Sequence, residues 1–197
     1  MSGDNNQRLR VSFNAPAVLT FSAVCLLAML LDSITRHAST NALFSVYRSS
    51  LASPLTYVRF LGHVFGHADW NHLLGNLMYI LILGPMLEEK YGTSNTVFLI
   101  AATAIVTGLI NFIFFPGVRL LGASGVVFSM ILLASITGFE ERKIPLTFLL
   151  VAALYIGQQV YEALTVQGNI SHTAHIAGGG TGALLGFLMN HWKMNRY

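Results

Sequence analysis

Charge is what this 197-residue sequence has least of. Asp, Glu, Lys and Arg together supply 10% of it, against about 25% in an average soluble domain. An ordinary water-soluble fold is therefore not expected. Cysteine is nearly absent as well. Cys25 stands alone inside the first apolar stretch, so no intrachain disulfide can form, and it reads as a small buried apolar residue. There is no basic patch either. A pI of about 9.2 would admit a nucleic-acid binder, but the Lys and Arg residues are scattered between hydrophobic segments, which excludes that class. Polar residues 1–14 precede the first apolar run without a small-residue cleavage site, so no cleaved signal peptide is expected.

What the chain does have is apolar sequence, 54% of it, with a mean hydropathy of +0.61. A helix crossing a bilayer takes about 20 mostly apolar residues. Six segments qualify or come close: 16–35, 70–87, 95–115, 124–139, 144–163 and 173–192. The expected fold is an all-α integral membrane protein of six transmembrane helices, the fourth of them short. Residues 1–15 and 193–197 read as tails and 16–192 as one membrane domain, with no internal repeat. Phe115-Pro116-Gly117-Val118-Arg119 reads as a turn leading into the short fourth helix. Non-helical backbone at membrane depth must be buried in protein or line a watery cavity, and such a cavity would hold Ser124.

Basic residues set the orientation. With the N-terminus cytoplasmic, Arg8, Arg10, Lys90, Arg142, Lys143, Lys193 and Arg196 lie inside, and Arg36, Arg48, Arg59 and Arg119 outside. Seven against four places both termini in the cytoplasm. Residues 36–69 then form the longest connection, on the outer side, mixing apolar and polar side chains as an interfacial segment would.

Two short stretches carry chemistry. Gly122-Ala123-Ser124-Gly125 opens the fourth helix. Its small residues allow close backbone approach, and the first N–H groups of a helix are unpaired donors suited to a developing oxyanion. Taken alone, Ser124 also fits a helix N-cap. The second stretch, Ala174-His175-Ile176-Ala177-Gly178, lies in the last apolar segment, with Gly178, Gly182 and Gly186 sharing one face with His175. Such a stripe lets a second helix pack close. An ionisable side chain at membrane depth is costly and points to function; alone, His175 equally fits a packed, hydrogen-bonded core histidine. His172, one turn earlier, is placed at the aqueous boundary. His72 and Asn76 are spaced i, i+4 on the second helix and could both donate to a carbonyl oxygen as it becomes negative. His63 and His67 share that spacing, but no zinc-protease Glu and no nearby Cys accompany them, so no metal is expected. No carboxylate is placed to complete a triad: Asp32 and Asp69 lie near span ends, Glu88, Glu89, Glu140 and Glu141 at the opposite membrane face. Glu162 stays open. A Ser–His dyad is the economical reading.

Together these residues resemble the rhomboid family of intramembrane serine proteases in its six-helix prokaryotic form. The resemblance rests on an ordered set: His72 with Asn76, Gly122-Ala123-Ser124-Gly125, then Ala174-His175 with Gly178 and Gly182. It implies Ser124 as nucleophile, His175 as general base and then acid, and an oxyanion pocket from His72, Asn76 and the Ser124 N–H. It also implies structural or site-lining roles for His63 and His67, and a structural one for Glu88. Two positions depart from the pattern. Phe128 replaces the family Tyr that stacks beneath the catalytic His, and Val58-Arg59 replaces the Trp-Arg pair that anchors the first outer loop. The implied activity is cleavage of transmembrane protein substrates in a bilayer, in a bacterial inner membrane, with no cofactor and no nucleic acid. The polar segment Gln167-Gly168-Asn169, in the loop 164–172 between the fifth and sixth helices, is expected to cap the site. Two rivals remain: an inactive relative that binds membrane clients, and a transporter using the histidines as a proton relay.

Overall fold

The computed structural model describes residues 12–136, 144, 146–165 and 170–194. Helix α1 spans Pro16–Thr35, followed by a short α2 (Ala38–Ala42), α3 (Pro54–Gly62) and a single 3₁₀ turn (His63–Phe65). Then come α4 (Trp70–Tyr91), α5 (Thr93–Phe114), α6 (Ser124–Ser135), α7 (Leu146–Thr165) and α8 (Ile170–Met194). The expected tails 1–15 and 193–197, the carboxylates Glu140 and Glu141, and Gln167-Gly168-Asn169 in the expected cap lie wholly or partly outside the described residues.

Each apolar run of the sequence is a helix, and the differences lie at the ends. Apolar character in the second run stops at Leu87, but α4 continues to Tyr91 because Glu88 is satisfied where it lies. Its Oε1 accepts from Ala17 N–H at 2.9 Å and its Oε2 from Val18 N–H at 3.0 Å, with Thr93 Oγ1 donating to Oε1 at 2.8 Å. One buried carboxylate thus takes the first free N–H groups of α1, which has no side-chain cap of its own, and ties α1, α4 and α5 together. The turn from α4 to α5 is made by Gly92 at φ +89, a conformation that favours glycine.

Helix α6 sits at the centre, packed on α8 first and then on α4, α5 and α7. It is apolar on every side, with Val126, Val127, Met130, Leu132 and Leu133 all buried. The core around it takes Val18, Phe21, Cys25 and Met29 from α1, Leu73, Ile80 and Leu87 from α4, and Leu99 and Ala104 from α5. The outward faces are apolar as well: Leu27, Ile34, Ile82, Phe98, Ile113 and Leu154 are exposed. In water that would be an aggregation liability; against lipid it is a solvated surface. Helices α1 and α5 are each long and apolar enough to cross a bilayer by themselves.

The connection 36–69 folds back onto the bundle. Buried Asp32 holds its start, accepting from Thr40 N–H at 3.1 Å and pairing with His37 Nδ1 at 2.7 Å. Farther on, Val46 and Leu120 form an isolated antiparallel bridge with N···O distances of 2.9 Å each way. Asn111 Nδ2 braces it, donating to Val46 O and Val118 O. Helix α3 is two-faced, burying Thr56, Arg59 and Phe60 and exposing Leu55, Tyr57 and Val58.

Candidate active site

Ser124 is the first residue of α6, and the N-cap position belongs to Ala123, which makes no side-chain cap. The serine hydroxyl therefore does not cap its own helix. Its Oγ lies 2.8 Å from His175 Nε2 on α8, so an unprotonated Nε2 accepts the hydroxyl proton. Phe128, one turn after Ser124, lies under the imidazole with ring centres 4.5 Å apart and planes tilted by 46°. The phenyl ring of Phe128 thus contacts the imidazole at a tilt.

The small residues explain how two helices come this close. A Cβ at Gly178 would fall well inside the van der Waals contact distance to Gly125 O, and one at Gly182 would do the same to Ser129 O. A Cβ at Gly186 would meet Leu133 Cδ1 at 2.9 Å. From Gly178 to Gly186 the stripe is the surface on which α8 rests against α6, and His175 sits one turn above it.

The histidines before α4 and at its start hold the backbone that precedes Ser124. His63 O accepts from Gly122 N–H at 2.9 Å. His67 Nδ1 contacts Phe65 O at 3.2 Å and its Nε2 accepts from Ala123 N–H at 3.4 Å. Burial, assisted by the neighbouring His72, pushes the His67 pKa down to about 4, and burial likewise pushes His63 to about 4. Both are thus neutral near pH 7, and the partners of His67 select the tautomer protonated on Nδ1. His63 Nε2 donates to Ala104 O at 3.0 Å. His72 stands edge-on to His67, ring centres 5.0 Å apart, and rests against Gly122. At φ +120, with a Cβ position 2.8 Å from His72 Cε1, that residue must be glycine on both counts. Asn76 is buried at 7% exposure, and among the described residues its Nδ2 has no hydrogen-bond partner. A buried amide donor without a partner is costly and calls for a reason.

The structure brings Ser124, His175 and Phe128 into direct contact and places Gly122, His63 and His67 behind them, with His72 against Gly122. Gly178 and Gly182 form the helix contact below. Glu88 lies at the other end of α4, under α1. Arg59 lies in α3, its Nε donating to Ala42 O at 2.9 Å, while Val58 is exposed beside it. His172 differs from the aqueous-boundary position: it is buried, its ring 6.4 Å from that of His175. The i, i+3 spacing turns both imidazoles to the same side of α8. Asp32, Asp69 and Glu88 are engaged elsewhere, Asp69 as the N-cap of α4 through His72 N–H. The side chain of Glu162 lies outside the described residues. Among the described residues no cluster of His, Cys, Asp and Glu is arranged to hold a metal ion.

Sequence reasoning passed over the polar stripe of α5. Thr103, Thr107 and Asn111 are buried, with Thr103 and Thr107 packed behind Gly125. Their spacing of four in an otherwise apolar helix was the available signal.

A rhomboid domain profile matches residues 54–192. Rhomboid-related protein 2 of Mus musculus is 32% identical over 158 residues, covering 70% of this chain and 52% of the relative. Rhomboid protease GlpG of Yersinia pestis is 29% identical over 182 residues, 90% of this chain and 62% of the relative. Uncharacterized protein ML1171 of Mycobacterium leprae is 26% identical over 196 residues, 95% of this chain and 76% of the relative. The chain thus spans about half of the mouse relative and under two thirds of the Yersinia one.

Proposed function

The chain belongs to the rhomboid family, and on that premise we propose that it is an intramembrane serine endopeptidase working with a Ser124–His175 dyad. The observation that carries this reading is the 2.8 Å contact between Ser124 Oγ and His175 Nε2, made between two helices and supported from below by Phe128. A relative described as a protease, matching 90% of this chain, supports the same reading.

In the proposed mechanism His175 takes the hydroxyl proton as Ser124 Oγ attacks the scissile carbonyl carbon. The carbonyl oxygen becomes negative and is held by Asn76 Nδ2, an N–H of the His72 ring and the backbone N–H of Ser124. An oxyanion gives the buried Asn76 amide the acceptor it lacks. His175 then gives its proton to the leaving amine, and an acyl-enzyme remains on Ser124. Water, deprotonated by His175, hydrolyses the acyl-enzyme and restores both residues. No metal or cofactor enters any step.

The substrates in this reading are transmembrane proteins with a segment able to unwind into the site. Six helices, α1 and α4 to α8, cross the bilayer, both termini are cytoplasmic, and residues 16–192 form the membrane domain. Ser124 opens toward the outer side, in a bacterial inner membrane. Labelling by a fluorophosphonate probe, together with cleavage of a model transmembrane substrate, tests the assignment. The unmodified protein should react in both assays and Ser124→Ala in neither. Equal cleavage by the two would sink the protease reading, and inertness of both toward probe and varied substrates would favour a client-binding relative.

A further inference from the structure

The arginines at the Ser124 end of the bundle take no part in the proposed chemistry, yet two of them meet on one ring, and a third, next to that ring in sequence, is held on another. The Val46–Leu120 bridge sets Tyr47 opposite Arg119. The guanidinium carbon of Arg119 lies 4.9 Å from the centre of the Tyr47 ring, and that of Arg59 lies 4.5 Å from it. Arg48, next in sequence, stacks 4.9 Å from the centre of Phe112. Each is also held by a hydrogen bond: Arg59 Nε to Ala42 O, Arg48 Nη1 to Phe112 O, and Arg119 Nη1 to Asn41 Oδ1. A guanidinium carries five N–H donors, so the exposed Arg48 and Arg119 keep donors to spare. Stacking on the aromatic rings restrains the side chains before any ligand arrives, which lowers the entropy lost on binding.

Among the described residues no carboxylate pairs with these arginines. Among the described residues the one ion pair is His37–Asp32, and Asp69 is the cap of α4. Beside the cations lies the exposed apolar side of α3, with Leu55, Tyr57, Val58 and Leu61. Rigid forked donors beside apolar side chains, on a membrane-embedded protein, match one partner chemistry. The guanidinium fork suits a phosphate, and the apolar side chains suit the acyl region beneath it. Uncompensated positive charge favours a headgroup with net negative charge over a zwitterionic one.

We propose that Arg48, Arg59 and Arg119, held on Tyr47 and Phe112, form a site for the phosphate of an anionic phospholipid headgroup. The proposal rests on the membrane embedding of the family and not on the protease reading, so the two can fail separately. It is tested on the purified full chain in phosphatidylcholine vesicles, by comparing the association of spin-labelled phosphatidylglycerol with that of spin-labelled phosphatidylcholine. The unmodified protein should prefer the anionic label. The double variant Arg48→Gln/Arg119→Gln should lower that preference by at least about fivefold, the scale of one surface arginine against an anionic membrane. Arg48→Lys/Arg119→Lys, which keeps the charge but loses the stacked fork, should retain part of it. No preference in the unmodified protein, or the same preference in the Gln and Lys pairs, overturns the site. If the Gln pair does not fold, salt decides with the unmodified protein: raising NaCl from about 0.05 to about 0.5 M should remove most of the preference, and a preference insensitive to salt overturns the site.

Discussion

At the scale of single residues, two histidines respond to acid for different reasons. His175 must be neutral to accept the Ser124 proton, and a free imidazole has a pKa of about 6.5. Cleavage should therefore fall as pH drops below that range, and a flat rate profile down to pH about 4 would argue against His175 as base. His67 acts on stability. Its folded pKa is about 4, below the free value of about 6.5, so in the interval between them the unfolded chain binds a proton that the folded chain refuses. Stability is full above that interval and is lost as pH falls through it. The melting temperature should drop over the same interval, and less steeply in His67→Asn, which separates the structural response from the catalytic one. A slope unchanged by that substitution would remove His67 from the account. Asn76 offers a third test. If its amide holds the oxyanion, Asn76→Ala should cost about 10²–10³-fold in kcat, the usual effect of removing one such donor, with little change in melting temperature. Phe128 shows what is legible at this scale: the sequence announces a missing hydroxyl, but only the structure shows the tilted ring contact at 4.5 Å with His175.

At the scale of elements, the apolar periodicity was readable and the long-range hydrogen bonds were not. Helices α1 and α4 to α8 stand where the apolar runs stand, because an apolar run among lipid satisfies its backbone groups internally only as a helix. Glu88 could be suspected of a structural part only by resemblance. Its partners are the N–H groups of Ala17 and Val18, 71 and 70 residues away in sequence, and no local pattern encodes them. The same holds for the Val46–Leu120 bridge, which couples the connection 36–69 to the turn before Ser124. His172 misled for a related reason: proximity to a helix start suggested water, while the face it shares with His175 turns it inward. Two substitutions separate these elements. Glu88→Ala orphans two buried N–H groups at the start of α1, at about 1–3 kcal/mol each. The melting temperature should fall markedly although the residue is at the far end of α4 from Ser124. Gly178→Val forces α8 off Gly125, so activity and melting temperature should fall together. Full activity with an unchanged melting point would refute the close contact of α6 and α8.

At the scale of the whole molecule, the proposed hydrolysis sets a contradictory requirement: it needs water, and the surroundings are lipid. The length of α6 is central to the solution. With 12 residues, it is about 18 Å long at about 1.5 Å per residue, well short of a hydrocarbon core of about 30 Å. A helix so short, wrapped by α4, α5, α7 and α8, can start below the surface because its neighbours cover the backbone that leads into it. The His63 and His67 contacts to Gly122 and Ala123 satisfy that backbone. If this reading is right, water reaches the first residue of α6 and not its middle. Single thiols can report it. In a Cys25→Ala background, a thiol placed by Ser124→Cys should react with a membrane-impermeant maleimide added to sealed vesicles or spheroplasts. One placed by Met130→Cys, a site with 0% exposure at the centre of the bundle, should not react until the protein is unfolded. Reaction from the outer side only would fix the direction from which water enters. A thiol at position 124 as inert as the one at 130 would mean that the serine is dry, and the proposed hydrolysis would have no water with which to finish.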